Sequence, residues 1–276
     1  MYIINASGEK EKFQPEKIKR TCLRAGADFN LANQIVKKVK SKIYPGITSR
    51  EILKLIKRYL RQVSPTIAIR YSLKEAIFRL GPAGFHFEKF IARILEEYGY
   101  RVSTNNILTG HCVEHEIDLI AVDQEKIYLI ECKHHHLPGI YCDLKTALYT
   151  WARFLDVNRA KRRFDKPWLV TNTKFSQSAI QYANCQGLKL LGWHWPIGSG
   201  LENIIEEKRL YPITILPGLT EDLENRLAKA DLILCRDLIT TDFNKIVKNT
   251  KIKYSIVGRL VNQAKDLLFQ NFNIDS

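Results

Sequence analysis

The stretch LIECKHHH, residues 129–136, sets an acid, a thiol, a lysine and three histidines at the end of an apolar run. In an extended strand side chains alternate faces, so Glu131 and Lys133 share one side while Cys132 points into the body of the protein. Asp118, in EHEIDLIAV, precedes a second apolar run. Neighbouring strands lie about 5 Å apart, so two carboxylates and a lysine can converge. Mg²⁺ takes oxygen ligands and is bound through one or two carboxylates plus substrate phosphate. A lysine beside it can orient or deprotonate the attacking water and offset charge developing on the phosphate. Two other readings stay open. Acid and base at i, i+2 on an exposed sheet face form a weak ion pair, worth under about 1 kcal/mol. Cys112, His115, Cys132, His134, His135, His136 and Cys142 offer zinc ligands, with CVEH the knuckle-like stretch, although the CxxC pairing usual in closed zinc sites is missing. His134 and His136 follow Lys133 out of the strand, where contacts to DNA phosphate are expected.

These residues need elements to hold them. Phe87, Phe90, Ile91, Ile94, Leu95 and Tyr98 recur at i, i+3, i+4, i+7, i+8 and i+11, which predicts an amphipathic helix ending at Gly99. Glu88 lies in line with Ile91 and Leu95 and so borders the buried face, where a carboxylate needs a partner: a cation, a cation's water or a lysine. Strands are expected near 101–108, 116–122 and 127–133. A long helix should span DLKTALYTWARFLDVNRAKRRF (143–164), and buried strands at 167–172 and 188–193 should flank a helix over 175–186. Before this region, residues 2–13 read as a hairpin turning at Ser7-Gly8. Four helices follow: one opened by Pro15 and closed near Gly26, one through Leu31, Ile35, Val39 and Ile43, one capped by Thr48 and Glu51, and one from Pro65 to Leu80. GPAG at 81–84 breaks the pattern.

The 276 residues carry a formal charge of +14, and residues 1–80 hold 18 Lys and Arg against 6 Asp and Glu. Nearly all the excess therefore faces a polyanion from the N-terminal part. No run approaches the roughly 20 apolar residues of a membrane helix, so the expectation is a cytoplasmic protein with no membrane partner. The six cysteines are irregularly spaced and read as reduced thiols.

Residues 85–195, with Glu88 on a helix, then Asp118, then Glu131-Cys132-Lys133, then a long helix and a further strand, resemble the PD-(D/E)xK nuclease superfamily in its branch of Mrr-like restriction endonucleases and archaeal Holliday junction resolvases. The resemblance implies catalytic Asp118, Glu131, Lys133 and Glu88. It implies Mg²⁺ on Asp118, Glu131 and the Cys132 backbone carbonyl, with Lys133 acting on the water. Ile117 stands where the motif's proline would be. TGHCVEHEIDLIA, ECKHHHLPG and KTALYTWARFLD further resemble predicted endonucleases fused to an ATP-cone, which adds Glu116, His115, Lys145 and Tyr149 as auxiliary positions.

Residues 1–82 resemble that ATP-cone, through the glycine turn, FQPEKI and AIRYS. This implies a nucleotide, ATP or another, bound near Gly8, Glu11, Lys17 and Ser49. Asn5-Ala6 replaces the family's usual Lys-Arg pair, so Lys10, Lys12, Lys17 or Arg20 would have to meet the phosphates. LPGLTEDLENRLAKADLILCRDLI (216–239) resembles a helix-hairpin-helix, whose backbone N–H groups grip a DNA phosphate. The expected fold is α/β (α+β): a mostly helical cone with a small hairpin (1–82), a restriction-endonuclease-like αβ sandwich (83–200) and a helical C-terminal region (201–276). The expected function is a Mg²⁺-dependent DNA endonuclease regulated by nucleotide. Its alternative is a nucleotide-sensing DNA-binding regulator on an inactive nuclease scaffold. Partners are DNA and a nucleotide, with a homodimer where two sites pair to cut both strands.

Overall fold

The computed structural model describes residues 1–81, 85–161 and 164–269. Of the GPAG break, Gly81 turns at φ +88° while residues 82–84, like 162 and 163 of the expected long helix, lie outside the described residues. The fold is α+β, and it divides into two compact units: residues 1–76 with those from Tyr211 onward, and Ile77–Leu210.

In the first unit, β1 (Tyr2–Ile4) and β2 (Lys10–Lys12) pair antiparallel. The Asn5 side chain organises their turn, its Oδ1 accepting from the N–H groups of Ser7 and Glu9 at 2.9 Å, and Gly8 supplies φ +85°. Then come α1 (Pro15–Arg24), α2 (Phe29–Lys40) and α3 (Ser49–Val63), the last opened by the expected capping box of Thr48 and Glu51. The single helix expected over 65–80 is two, α4 (Pro65–Tyr71) and α5 (Leu73–Phe78). Ser72 divides them, its hydroxyl donating to the Ala68 carbonyl at 2.9 Å and competing with the helix ladder. Ile18, Cys22, Ile35, Val39, Ile56 and Leu60 form the core, at helical spacings in the chain.

The second unit opens with α6 (Phe85–Glu97), which buries Phe87, Phe90, Ile91, Ile94 and Leu95. It continues with β3 (Arg101–Thr109), β4 (Glu114–Asp123), β5 (Lys126–Lys133), β6 (Tyr141–Cys142), α7 (Leu144–Lys161), β7 (Lys166–Thr171), β8 (Lys174–Phe175), α8 (Gln177–Gln186), β9 (Lys189–Leu191) and α9 (Leu201–Lys208). The sheet runs β3-β4-β5-β7-β9, antiparallel through β5 and parallel beyond it, and β6 and β8 form a separate parallel pair. Ile117, Leu129, Phe154 and Val157 pack the sheet against α7. Ala147, Leu169, Ala179 and Leu188 continue the core under α8.

Residues from Tyr211 return to the first unit. Arg70 of α4 donates to the Leu267 carbonyl at 2.8 Å, and the Thr214 hydroxyl donates to the Ala76 carbonyl at 2.8 Å. Their elements are a 3₁₀ turn (Ile213–Ile215), α10 (Glu221–Lys229), α11 (Asp237–Thr240), α12 (Phe243–Thr250) and α13 (Tyr254–Phe269). The helical hairpin expected around Pro217-Gly218 takes another form. Leu216 is extended ahead of the proline, so only the three-residue turn precedes the pair, and α11 is a single turn.

Candidate active site

Asp118 sits at a fault in the sheet. Ile117 and Ile120 pack on the same side, against the α7 cluster, although strict alternation would put residues three apart on opposite faces. The pairing with β3 passes from Thr104↔Leu119 to Asn106↔Ile117, omitting Asp118, and the residue opposite, Asn105, has φ +54°. The ladder to β5 also ends at Leu119↔Ile130, one step short of Asp118 and Glu131. The register is the same on both sides of the gap, so no residue is inserted; one residue of each strand, Asn105 and Asp118, leaves the ladder, and the kink re-aims the Asp118 side chain at the cost of pairing. The Asp118 carboxylate takes up the interrupted bonding, accepting from the Cys132 N–H at 2.7 Å. On its other edge β5 stays paired with β7 as far as Lys133↔Thr171, and the Thr171 hydroxyl donates to the Lys133 carbonyl at 2.7 Å. β5 is thus rigid on one side and forked from β4 on the other.

The acids gather in that fork. Glu88 from α6 is half-buried, and its carboxyl is pushed up to about 7 by burial, then by the charges of Asp118 and Glu116. Asp118 is raised by burial as well, against the pull of the Cys132 N–H, Arg153 and Lys133. Burial and then Asp118 raise Glu131, outweighing Arg153 and Lys133. Glu131 thus titrates high even though it is ion-paired, because desolvation and a second carboxylate exceed the effect of its partner. The Cys132 thiol is raised well above its ordinary range, by burial first. Lys133 is exposed at the strand end, and its charge reaches both Asp118 and Glu131.

Arg153, on α7, is the residue the sequence reading missed. Its Nη1 donates to Glu131 Oε2 at 2.5 Å and to the Glu116 carbonyl at 2.9 Å, and its Nη2 donates to the Tyr149 hydroxyl. The Glu131 and Arg153 side chains are 15% and 10% exposed, so this is a nearly buried pair. A signal existed: Lys145, Tyr149 and Arg153 step along α7 at i, i+4 and i+8, and the expectation stopped one turn early. Glu116 and Tyr149 therefore border the site through Arg153, while Lys145 lies near Asp143.

His115 is held elsewhere, its Nε2 bonded to Asp156 at 2.8 Å. Asp156 also accepts from the Cys112 N–H at 2.9 Å, and its carboxyl is held below the usual range by His115 first. Cys142 is buried in the apolar cluster under α8. The zinc set is thus dispersed, and among the described residues no three His, Cys, Asp or Glu side chains are placed to hold a metal by themselves. The expectation that His134 faces phosphate is corrected. Its Nε2 pairs with the Ile77 carbonyl at 3.0 Å, its ring packs on Phe87, and burial lowers its pKa. His136 is exposed.

In the first unit, Gly8 is in the hairpin turn and Glu11 and Lys17 bond each other at 3.3 Å. Ser49 is the first residue of α3. Lys10, Lys12 and Arg20 are exposed, and Asn5 serves the turn where the basic pair would stand.

Three family models match along the chain: the ATP cone domain over residues 1–76, a restriction endonuclease domain of Mrr type over 82–193, and an AF1548-like C-terminal domain over 211–268. An uncharacterized protein of Archaeoglobus fulgidus is 47% identical over 156 residues, covering 56% of this chain and 87% of the relative. The crystal structure of AF1548, a protein of unknown function, aligns with TM-score 0.61 and 40% identity over 68% of this chain and 99% of that one. The chain belongs to the AF1548-like family. This member carries a cone and an Mrr-type domain, and the forked strands with their acids lie within the latter. No helix among the described residues is long and apolar enough to cross a membrane.

Proposed function

We propose that the chain is a metal-dependent endonuclease that hydrolyses DNA phosphodiester bonds, with nucleotide bound to its cone as regulator. The observation that carries this reading is the meeting of Glu88, Asp118 and Glu131 beside Lys133, acids raised by burial and mutual repulsion that lack enough cationic charge in the protein itself. The donor set fits a hard cation. Asp118 and Glu131 offer carboxylate oxygens, and the Cys132 carbonyl sits at the same strand end, which leaves room for water and phosphate as Mg²⁺ requires. When bound, the metal supplies Lewis-acid stabilisation of phosphate charge and a more acidic water.

The protein's own groups do the rest. Asp118 is oriented by the Cys132 N–H, so its second oxygen is presented at a fixed angle. Lys133, exposed and adjacent, is placed to orient the attacking water and to offset charge on the scissile phosphate. Arg153 keeps Glu131 in place through its Nη1, and with Glu131 holding a metal its guanidinium would be free to donate to a phosphate oxygen. Glu88, raised to about 7, would be suited to exchange a proton with a water in the fork near neutral pH. On the cone, a nucleotide phosphate would displace Glu11 from Lys17, an exposed pair that costs little to break.

The test incubates purified protein with supercoiled plasmid and with a four-way junction, in Mg²⁺ with and without ATP, beside Asp118→Ala. Metal-dependent cutting that the variant loses is the expected result, with a rate change on adding ATP. DNA that is bound but never cut would overturn the enzyme in favour of a regulator on a nuclease scaffold.

A further inference from the structure

The first unit holds a cleft of about 430 Å³ beside the α2–α3 connection, within the size range of a small-ligand site. Its floor is apolar, from Ile47 and Leu55, and its rim carries Lys42, Lys54 and Arg58. Among the described residues none of these three cations forms a direct ion pair with a carboxylate, although the charge of Lys54 reaches Glu51. Tyr44 stands at the edge, the residue 51% exposed, and its hydroxyl donates to Glu51 at 2.8 Å, which fixes the ring. Glu51, the one acid in the lining, is fully engaged. It accepts from the Thr48 N–H at 2.9 Å, from the Thr48 hydroxyl at 2.7 Å and from Tyr44, so its charge is spent inside the capping box.

This cleft is not the side of α3 where the cone resemblance puts a nucleotide. Glu51, Lys54, Leu55 and Arg58 follow i, i+3, i+4 and i+7 and share one face. Ser49 precedes Glu51 by two residues, about 200° around the axis. The basic surface also continues past the cleft, since Lys38 and Arg58 both lie over the Tyr59 ring, at 5.6 and 5.5 Å. The capping box engages the Thr48 and Glu51 N–H groups at the start of α3, which leaves fewer backbone donors there for a compact triphosphate. Solvent-facing cations in a row, none in a direct ion pair, beside a fixed, exposed aromatic residue match an extended strand, with phosphates along the cations and an unstacked base on the ring.

We propose that this face is a second nucleic-acid site, which takes single-stranded or locally unpaired DNA through Lys42, Lys54 and Arg58 and stacks one base on Tyr44. That the strand is DNA rests on the nuclease reading; the cleft's chemistry does not. It gives the basic half of the chain a grip on substrate that is separate from the acids of the second unit.

The test is fluorescence anisotropy of a labelled single-stranded oligonucleotide with the full chain in EDTA, so that no cutting occurs. Lys54→Ala/Arg58→Ala should lose about tenfold or more in affinity and flatten the log–log salt slope by about 0.7 per cation removed. Tyr44→Ala should lose about tenfold and Tyr44→Phe much less, because the ring rather than the hydroxyl stacks. Unaltered thermal melts would confirm that these surface variants fold. Parent-like affinity and slope in both alanine variants would overturn the proposal. So would equal losses on duplex with Tyr44→Ala indifferent, the behaviour of a plain basic patch. Loss of ATP binding with DNA binding intact would also overturn it, making the cleft a free-nucleotide site. If the variants lose DNA while the parent cuts nothing in Mg²⁺, the cleft stands and the nuclease reading falls.

Discussion

The two units handle charge in opposite ways. In the second, Glu88, Asp118 and Glu131 are drawn out of water beside one another, and each titrates higher than a free carboxyl. In the first, Lys42, Lys54 and Arg58 stay in solvent, and the acid among them is held down to about 2 by the Thr48 N–H, the Thr48 hydroxyl and Tyr44. Like charges in a half-buried fork are destabilising, and they persist where a ligand supplies the missing countercharge. Like charges on a surface cost little and recruit a polyanion. On the readings proposed above, poor pairing marks chemistry in one unit and attraction in the other.

The largest effect that would sharpen this contrast is on rate. Lys133→Ala should lower DNA cleavage by about 10²-fold or more while leaving DNA affinity nearly unchanged, because phosphate contacts elsewhere dominate binding. Parallel losses of both, measured by plasmid cleavage and anisotropy, would assign Lys133 to binding. Next comes stability. Arg153→Ala strands the Glu131 carboxylate and should cost about 3 kcal/mol in urea unfolding at pH 8, and less at pH 5, where Glu131 is protonated. An equal loss at both pH values would mean that packing on Tyr149, not charge, is what Arg153 provides.

A smaller effect is expected at Glu88. Its carboxyl is higher in the fold than in the unfolded chain, so the folded state binds more protons between pH 4.5 and about 7, and stability falls as pH rises through that window. Glu88→Gln should therefore raise Tm in metal-free buffer above pH 7 and leave it unchanged below pH 4.5. A gain that did not depend on pH would exclude charge as the cause. The smallest effect is Lys17→Ala: its pair with Glu11 is exposed, so stability should change by under about 1 kcal/mol while calorimetric nucleotide affinity drops. Unchanged affinity would move the nucleotide away from Lys17.

Local signals were legible in the sequence. The Thr48–Glu51 capping box, the α6 stripe from Phe87 to Leu95 and the three strands around Asp118 and Glu131 follow from spacing that each segment carries by itself. The fault at Asp118 was not legible, because it depends on how two strands pair across Asp118 and on the positive φ of Asn105, outside the motif. Arg153 lies one turn beyond Tyr149 on the same α7 face, but its partner Glu131 is 22 residues earlier in the chain, so that spacing points to the face and not to the pair. Ser72 hides in good helical periodicity, yet its hydroxyl divides the helix. The return of the C-terminal helices to the first unit rests on contacts such as Arg70 to Leu267, 197 residues apart.

Calorimetric titration of Mg²⁺ into the metal-free protein at pH 7, in two buffers of different ionisation enthalpy, bears most directly on why these acids are buried together. Binding should release protons from the raised carboxyls, so the heat should differ between the buffers, and Asp118→Asn should abolish it. Heat that is the same in both buffers, or that survives in Asp118→Asn, would contradict a cation site in the fork between β4 and β5.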